Sequence, residues 1–290
     1  MKKNLSLLVF CVLSPFYLSA QEANVPDLIF NKKFYDCEDN WVVFPKKPAD
    51  SVYSYGFVYL DMAAGFTFDL QGQFFIEKGG KFVAKAMERL KTSSMKYRLA
   101  ANTSLVAQLS GKRLMELNLP KEPVWLKGYK APSESVSTLT NMGRHYNHVG
   151  ALDKAAECLV KAYSLDPHFK GVEFELSYNH NAKGQYENAI KVLKGAIKND
   201  SKNFWFYREL GYAYMNLGKL DEAEKVYSTG IEISNDVSQK AEMAYNMTLT
   251  FFQKEKKEKC KEWIEKTRSF ASADSPYLKS LLAMEKKLNQ

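Results

Sequence analysis

The fold is decided at residues 204–230, FWFYRELGYAYMNLGKLDEAEKVYSTG, where Gly211 and Ala223 sit twelve residues apart among large aromatic side chains. The same spacing returns upstream. Gly150, Gly184 and Gly218 follow one another at 34 residues, as do Ala155, Ala189 and Ala223. Leu152, Tyr186 and Leu220 precede those alanines by three positions, and Leu159, Leu193 and Tyr227 follow them by four. Met142, Leu176 and Leu210 make another column, then Gly143, Ser177 and Gly211, then Tyr146, His180 and Tyr214, and finally Ala162, Ala196 and Gly230. Self-similarity at a fixed period of this length is the mark of stacked supersecondary units.

Within each unit the large apolar residues recur at helical spacing on both sides of a Gly-containing turn, which predicts a pair of antiparallel helices. Small residues such as Gly211 and Ala223 belong where the two axes cross, because close approach leaves no room for a larger side chain, and Tyr214 and Tyr227 fill the flanks. The turn glycines suit a left-handed residue just past a helix end. Asp166-Pro167 closes the first unit, since proline cannot continue a helix; Ser201 and Asn235 take its place in the next two.

This pattern resembles the tetratricopeptide repeat, with units starting near Val136, Lys170 and Phe204. The third unit carries the likeness best, with Tyr207, Leu210, Gly211, Tyr214, Gly218, Leu220, Ala223 and Tyr227 on signature columns. The second departs most, having Glu173, Ser177 and His180 at the aromatic, small and aromatic columns. The resemblance implies a solenoid whose concave groove is lined by the first helix of each unit. Carried over column by column, it implies that Thr140, Arg144, Asn147 and His148 face the groove from unit one, and Phe174, Tyr178 and Asn181 from unit two. Unit three offers Trp205, Arg208, Tyr212 and Asn216, and a degenerate fourth unit adds Tyr245 and Phe252. Aromatic rings with interspersed Arg and Asn make a recognition surface, in which arginine supplies a charged fork for carboxylate. The alternative for Phe174 and Trp205 is packing between units or against the amino-terminal domain.

The fourth unit reads from Ala244, Met247, Thr248 and Phe251 in its first helix and Cys260, Trp263, Ile264 and Thr267 in its second. Around them the run KEKKEKCKEWIEK alternates charge, with Glu262 and Lys266 as a favourable four-residue pair, and reads as a solvated helix face rather than a nucleic-acid patch. Ser275-Pro276 then opens a last helix, from which Leu278, Leu281, Leu282 and Leu288 are expected to face inward as a cap.

Upstream of Ala131 the pattern changes to short runs rich in Val, Phe and Tyr broken by glycine: NWVVFPKK, VYSYGFVYLDM and GFTFDLQGQFFIEKGGKFVAK. The last contains a hairpin turning at Lys78 to Lys81; MKYRLA and SLVAQLS supply two more strands, and Ser110 opens a short helix through Leu117. The interval Val83 to Leu90 reads as helical or irregular. The fold class is therefore α+β: a small antiparallel, β-rich domain followed by an all-α solenoid of three clear repeats, one degenerate repeat and a capping helix.

The first twenty residues, MKKNLSLLVFCVLSPFYLSA, have a basic start, an apolar run and small residues before Gln21, which predicts a cleaved secretory signal. The run is too short to span a bilayer, and no later segment approaches that length. The expected organisation is residues 1–20 as signal, 21–130 as the sheet domain and 131–290 as the repeats, exported to the periplasm or cell surface of a Gram-negative bacterium. The formal charge of +8 loses two lysines with the signal, and the remaining basicity serves solubility. Cys37, Cys158 and Cys260 remain, the last two on apolar helix faces, where small buried residues are a better reading than a disulfide.

The sequence contains no GxSxG elbow, HExxH, CxxC or GxGxxG, and Gly79-Gly80-Lys81 sits in a hairpin rather than a phosphate loop. His145, His148 and His180 lack a carboxylate at ligand spacing, and Asp61 and Asp69 read as turn or edge residues. No cofactor or metal is expected, and the expected function is a non-enzymatic scaffold that holds a segment of another envelope protein in the groove. Two alternatives stand beside it. In one, Trp41, Tyr53, Tyr55 or Trp125 stacks on carbohydrate or peptidoglycan with the repeats as spacer; in the other, the sheet domain carries an enzyme site without a known motif.

Overall fold

The computed structural model describes residues 28–87, 95–130 and 134–289. The expected secretory signal, residues 88–90 of the interval expected to be helical or irregular, and residues 131–133 at the expected start of the repeat domain lie outside the described residues. Antiparallel strands β1 (Asn40–Val43), β2 (Tyr53–Asp61), β3 (Gly65–Ile76), β4 (Phe82–Lys85), β5 (Lys96–Arg98) and β6 (Ala107–Gln108) form one sheet. They run in the order β4-β3-β2-β1-β6, with β5 also on β3. Residues 83–85, left open between helix and irregular chain, are strand, paired with Gln73 to Phe75 because the glycine turn at 79–80 folds them back. A short helix, α1 (Gly111–Glu116), follows Ser110, whose side chain makes no cap bond.

The sheet is buried on both faces. Trp41, Val43, Tyr53, Tyr55, Phe57 and Tyr59 pack on one side with Leu117 after α1 and Leu126 in a 3-10 turn at Val124–Gly128. Val42, Val58, Leu60, Phe66 and Phe68 pack on the other, against Tyr146, Val149 and Leu159 of the first repeat. Strand β3 contributes to both faces because its register against β2 slips between Tyr55 and Gly56, so Gly56 faces Leu70 and Tyr55 faces Gly72. One extra residue reverses the side-chain alternation. Phe66 and Phe68 therefore point to the repeats while Phe74, of the same parity, joins Tyr53 and Phe82 on the far side.

The helices pair as the columns require: α2 (Val136–Val149) with α3 (Leu152–Leu165), α4 (Val172–Ala182) with α5 (Tyr186–Asn199), α6 (Phe204–Asn216) with α7 (Leu220–Ile233), and α8 (Val237–Gln253) with α9 (Lys257–Phe270). Ser135, Asn203 and Asp236 accept backbone N–H groups at the starts of α2, α6 and α8. The crossings are as tight as the small residues imply: a Cβ on Gly143 would lie 2.4 Å from Leu159, and one on Gly211 2.5 Å from the Tyr227 ring.

The turn glycines Gly150, Gly184 and Gly218 have φ of 82°, 71° and 71°, and the equivalent place in the fourth unit holds Glu255 at φ 54°. A side chain in the left-handed region costs on the order of 1 kcal/mol. Glu255→Gly is thus expected to stabilise the protein by about 0.5–1 kcal/mol, seen as a higher urea midpoint at unchanged slope; a lower midpoint would contradict the assignment of strain.

Helix α10 (Pro276–Leu288) is capped by Ser275 and buries Leu281 and Met284, with Leu278 and Leu288 half-buried. Leu282, expected to face inward, is 64% exposed. The inward stripe runs 281, 284, 288 at helical spacing, and Leu282 lies a third of a turn off it.

Cys37 and Cys260 are fully buried, Cys158 is partly buried, and all three are free thiols. Burial pushes the Cys158 thiol up to about 11, with Glu157 and Glu38 adding to the effect.

Candidate functional site

Helices α2, α4, α6 and α8 lie side by side along one face of the solenoid, and three links of hydrogen bonds tie them together. Asn147 Nδ2 on α2 donates to the Glu175 carbonyl and to its carboxylate Oε2, both at 2.9 Å. One repeat later Asn181 Nδ2 donates to the Glu209 carbonyl at 3.1 Å and carboxylate at 2.9 Å. The third link is ionic: Arg208 on α6 reaches Glu242 Oε1 on α8 through Nε at 3.1 Å and Nη2 at 2.8 Å, and Glu209 Oε1 through Nη1 at 3.2 Å. Burial raises the pKa of Glu175 and Glu209, opposed by the amide hydrogen bonds.

Several residues expected on the groove surface are thereby part of its foundation. Asn147 and Asn181 are each 4% exposed and belong to the inter-repeat links. Thr140 is buried and bonds the Val136 carbonyl. The Arg208 fork, expected to be offered to a partner's carboxylate, is occupied by two of the protein's own carboxylates and lies 5.3 Å over the Trp205 ring. Trp205 meets Phe174 edge-on at 5.8 Å, so these rings pack between adjacent units. Tyr245 stacks on Tyr277 of α10 at 4.5 Å, and Phe252 packs against the core of the last repeats.

What is open is a smaller set. Tyr178 is 39% and Tyr212 41% exposed, and Arg144, His148 and Asn216 are also exposed. Tyr178 and Tyr212 flank a cleft of about 340 Å³ lined further by Asn181, Glu209, Glu242 and Asn246. A second cleft of about 430 Å³ lies nearer the sheet, between Thr138, Thr140 and Arg144 of α2 and Phe169, Lys170 and Glu175, with Met62 of the β2–β3 turn at its edge. That turn is bonded to the first repeat: Asn141 Nδ2 donates to the Met62 carbonyl at 2.6 Å, and His145 Nε2 lies 3.1 Å from the same oxygen.

Of the three histidines, His145 lies against the Met62 carbonyl and His180 Nδ1 against Gln185 Oε1 at 2.8 Å, while His148 is exposed. Asp61 is a turn residue, its Oδ1 accepting from the N–H of Ala63 and Ala64. Trp41, Tyr53 and Tyr55, considered as a glycan-stacking platform, are 4%, 8% and 7% exposed and belong to the sheet core. Trp125 is half-buried among Phe57, Tyr59 and Tyr129. In the sheet region a cavity of about 410 Å³ beside the 44–52 loop holds Lys46, Asp50 and Gln73, and Asp50 Oδ2 is taken by the Lys47 N–H.

Two family models match the chain in this region. Residues 179–218 match one described as TPR repeat, and residues 207–237 one described as tetratricopeptide repeat. The helical part of the chain thus carries tetratricopeptide repeats over residues 179–237, and neither match reaches the sheet.

Protein bimA of Emericella nidulans is 29% identical over 93 residues, 32% of this chain and 12% of that protein. TPR repeat-containing protein YpiA of Bacillus subtilis is 21% identical over 222 residues, 75% of this chain and 49% of that protein. The chain thus spans half or less of the length of the relatives it matches.

Among solved structures, MamA MSR-1 C2 superposes with a TM-score of 0.43 at 19% identity, over 55% of this chain and 85% of that one. A structure described as YrrB, a TPR protein with an unusual peptide-binding site, gives 0.45 at 20% identity, over 54% and 76%.

Proposed function

We propose that the protein is an interaction scaffold whose α2-α4-α6-α8 face holds a segment of another protein. The observation that carries the reading is the pair Tyr178 and Tyr212. Each stands at the same place in its repeat, each exposes about two fifths of its surface, and together they flank an open cleft. A tyrosine supplies contact area at low entropic cost, and rings left open over a rigid floor are the anchors that binding surfaces use. The floor is rigid because the Asn–Glu and Arg–Glu links fix each repeat to the next.

The first twenty residues support placing this scaffold and its partner outside the cytoplasm, in a bacterial envelope. To test the binding face, a photo-reactive amino acid is placed at Tyr212 and, as control, at Lys225 on the opposite helix of the same repeat. Irradiation of living cells is expected to trap a discrete adduct from position 212 and none from 225. Adducts of equal yield from both positions, or from 225 alone, would sink the assignment of the face.

A further inference from the structure

We propose that the cleft between Tyr178 and Tyr212 seats a cationic side chain of the bound segment, an arginine or lysine, and that the segment lies with acidic residues toward the first repeat. The inference rests on the binding face described above and gives it a ligand chemistry.

The charged groups that line the cleft are two carboxylates and one guanidinium. Glu209 and Glu242 share the single guanidinium of Arg208, so their summed formal charge is negative. Asn181 adds a buried side-chain carbonyl oxygen, Oδ1, with no hydrogen-bond partner among the described residues. The cause is visible in the repeat. One unit earlier Asn147 Oδ1 accepts from Asn179 at 2.9 Å, and the residue 34 positions after Asn179 is Ala213, which has nothing to donate. A buried acceptor left open in a native structure calls for a partner. Both exposed rings line the cleft, where an aromatic face attracts a cation, and the cleft volume of about 340 Å³ accommodates a guanidinium or ammonium with part of its stem. An anionic group would meet two carboxylates, and the one guanidinium there is already bonded to both of them.

The other cleft has the opposite sign. Arg144 spends its guanidinium on the Asn141 amide, with Nε at 3.2 Å and Nη2 at 2.6 Å, and among the described residues no carboxylate lies within ion-pair distance of it. Lys170 lines the same cleft, so two cations stand there against the one carboxylate of Glu175. Neighbouring helices pack roughly 8–10 Å apart, so the two clefts are separated by about 10–20 Å, which an extended chain crosses in about three to six residues. A segment whose acidic and basic residues have that spacing meets opposite charge at both ends. The reversed segment meets like charge at both, which excludes it.

The test is to pan a random 12-residue peptide library, displayed on phage, against the full-length protein. The expected result is a family of sequences in which arginine or lysine is enriched about tenfold, with aspartate or glutamate about three to six residues away. A selected peptide is then measured against Glu242→Gln, which keeps the side-chain shape and leaves Arg208 paired with Glu209, and against Tyr212→Ala. Each is expected to weaken binding about three- to tenfold, with a circular dichroism spectrum matching that of the parent as the check that the fold is kept. The same peptide with its acidic residues replaced by lysine should bind at least about tenfold more weakly. Selection of a family without basic residues overturns this inference and leaves the binding face standing. Selection of no family at all overturns both, and equal affinity of the lysine-substituted peptide overturns the polarity.

Discussion

Trp263→Ala is expected to remove about 3–5 kcal/mol of stability. Trp263 is fully buried, the largest of the fully buried side chains, at the centre of a core that runs from Ala189 of the second repeat to Met284 of the capping helix. Its ring packs beside Phe251, and its Nε1 donates to Glu224 Oε1 on α7 at 3.0 Å, a carboxylate that also receives Lys259 Nζ at 2.7 Å. Truncation therefore opens a cavity between α8 and α9 and unties α9 from the preceding repeat. In a solenoid each repeat is stabilised chiefly by its neighbours, so the loss is expected to concentrate at the carboxyl-terminal end. Hydrogen exchange should show α8, α9 and α10 losing protection ahead of α2 to α5. Trp263→Phe, which keeps most of the packing and drops the hydrogen bond to a charged group, should cost about 1.5–3 kcal/mol. Urea unfolding followed by circular dichroism measures both. A loss below about 1 kcal/mol for the alanine variant would mean that the site collapses around the gap.

The repeats were legible because their information is local and periodic. Gly143, Gly211 and the turn glycines at 150, 184 and 218 each report a backbone constraint that a larger side chain would violate, and the period of 34 makes their agreement visible. The groove residues were only partly legible, because column positions say which way a side chain leaves the helix and not what it meets there. Asn147 and Asn181 leave toward the face but end on Glu175 and Glu209. A signal for this was present: an asparagine and a glutamate each recurring at 34 residues are polar groups kept in register, as expected of a bond between neighbouring units. Arg208 and Glu242, at the same spacing and opposite in charge, carry it too.

In the sheet the strands were legible by alternation, but the faces were not. The run from Phe66 to Ile76 keeps one parity throughout, and the slip opposite Tyr55 and Gly56 reverses the face halfway along. Nor does alternation show that a second layer lies beyond the sheet. Trp41, Tyr53 and Tyr55 read as candidate platforms for a glycan until α1 and the 124–128 turn cover them.

Phe66→Ala is expected to cost about 3–5 kcal/mol, and its value lies in where that loss appears. Phe66 is 2% exposed, with its ring 5.5 Å from Phe34 and 5.7 Å from Tyr146, which belongs to the first repeat. Polar contacts reinforce the same seam. Tyr146 Oη donates to Glu38 Oε2 at 2.7 Å, Lys154 Nζ donates to the Tyr35 carbonyl at 2.5 Å, and Asn141 holds the turn after β2. The burial that raises the pKa of Glu38 and Tyr146 is produced by this contact between the two layers. A terminal repeat has one face without a neighbouring repeat, and a solenoid needs something to cover it. Here the sheet does so, sharing its second core with α2 and α3. The first repeat should therefore lose protection together with the sheet: in Phe66→Ala, amides of α2 and α3 are expected to exchange faster in step with those of β2 and β3, while α8 and α9 keep their rates. If the strands alone lose protection and α2 and α3 do not, the first repeat stands without its cover and the sheet is an independent domain resting on it.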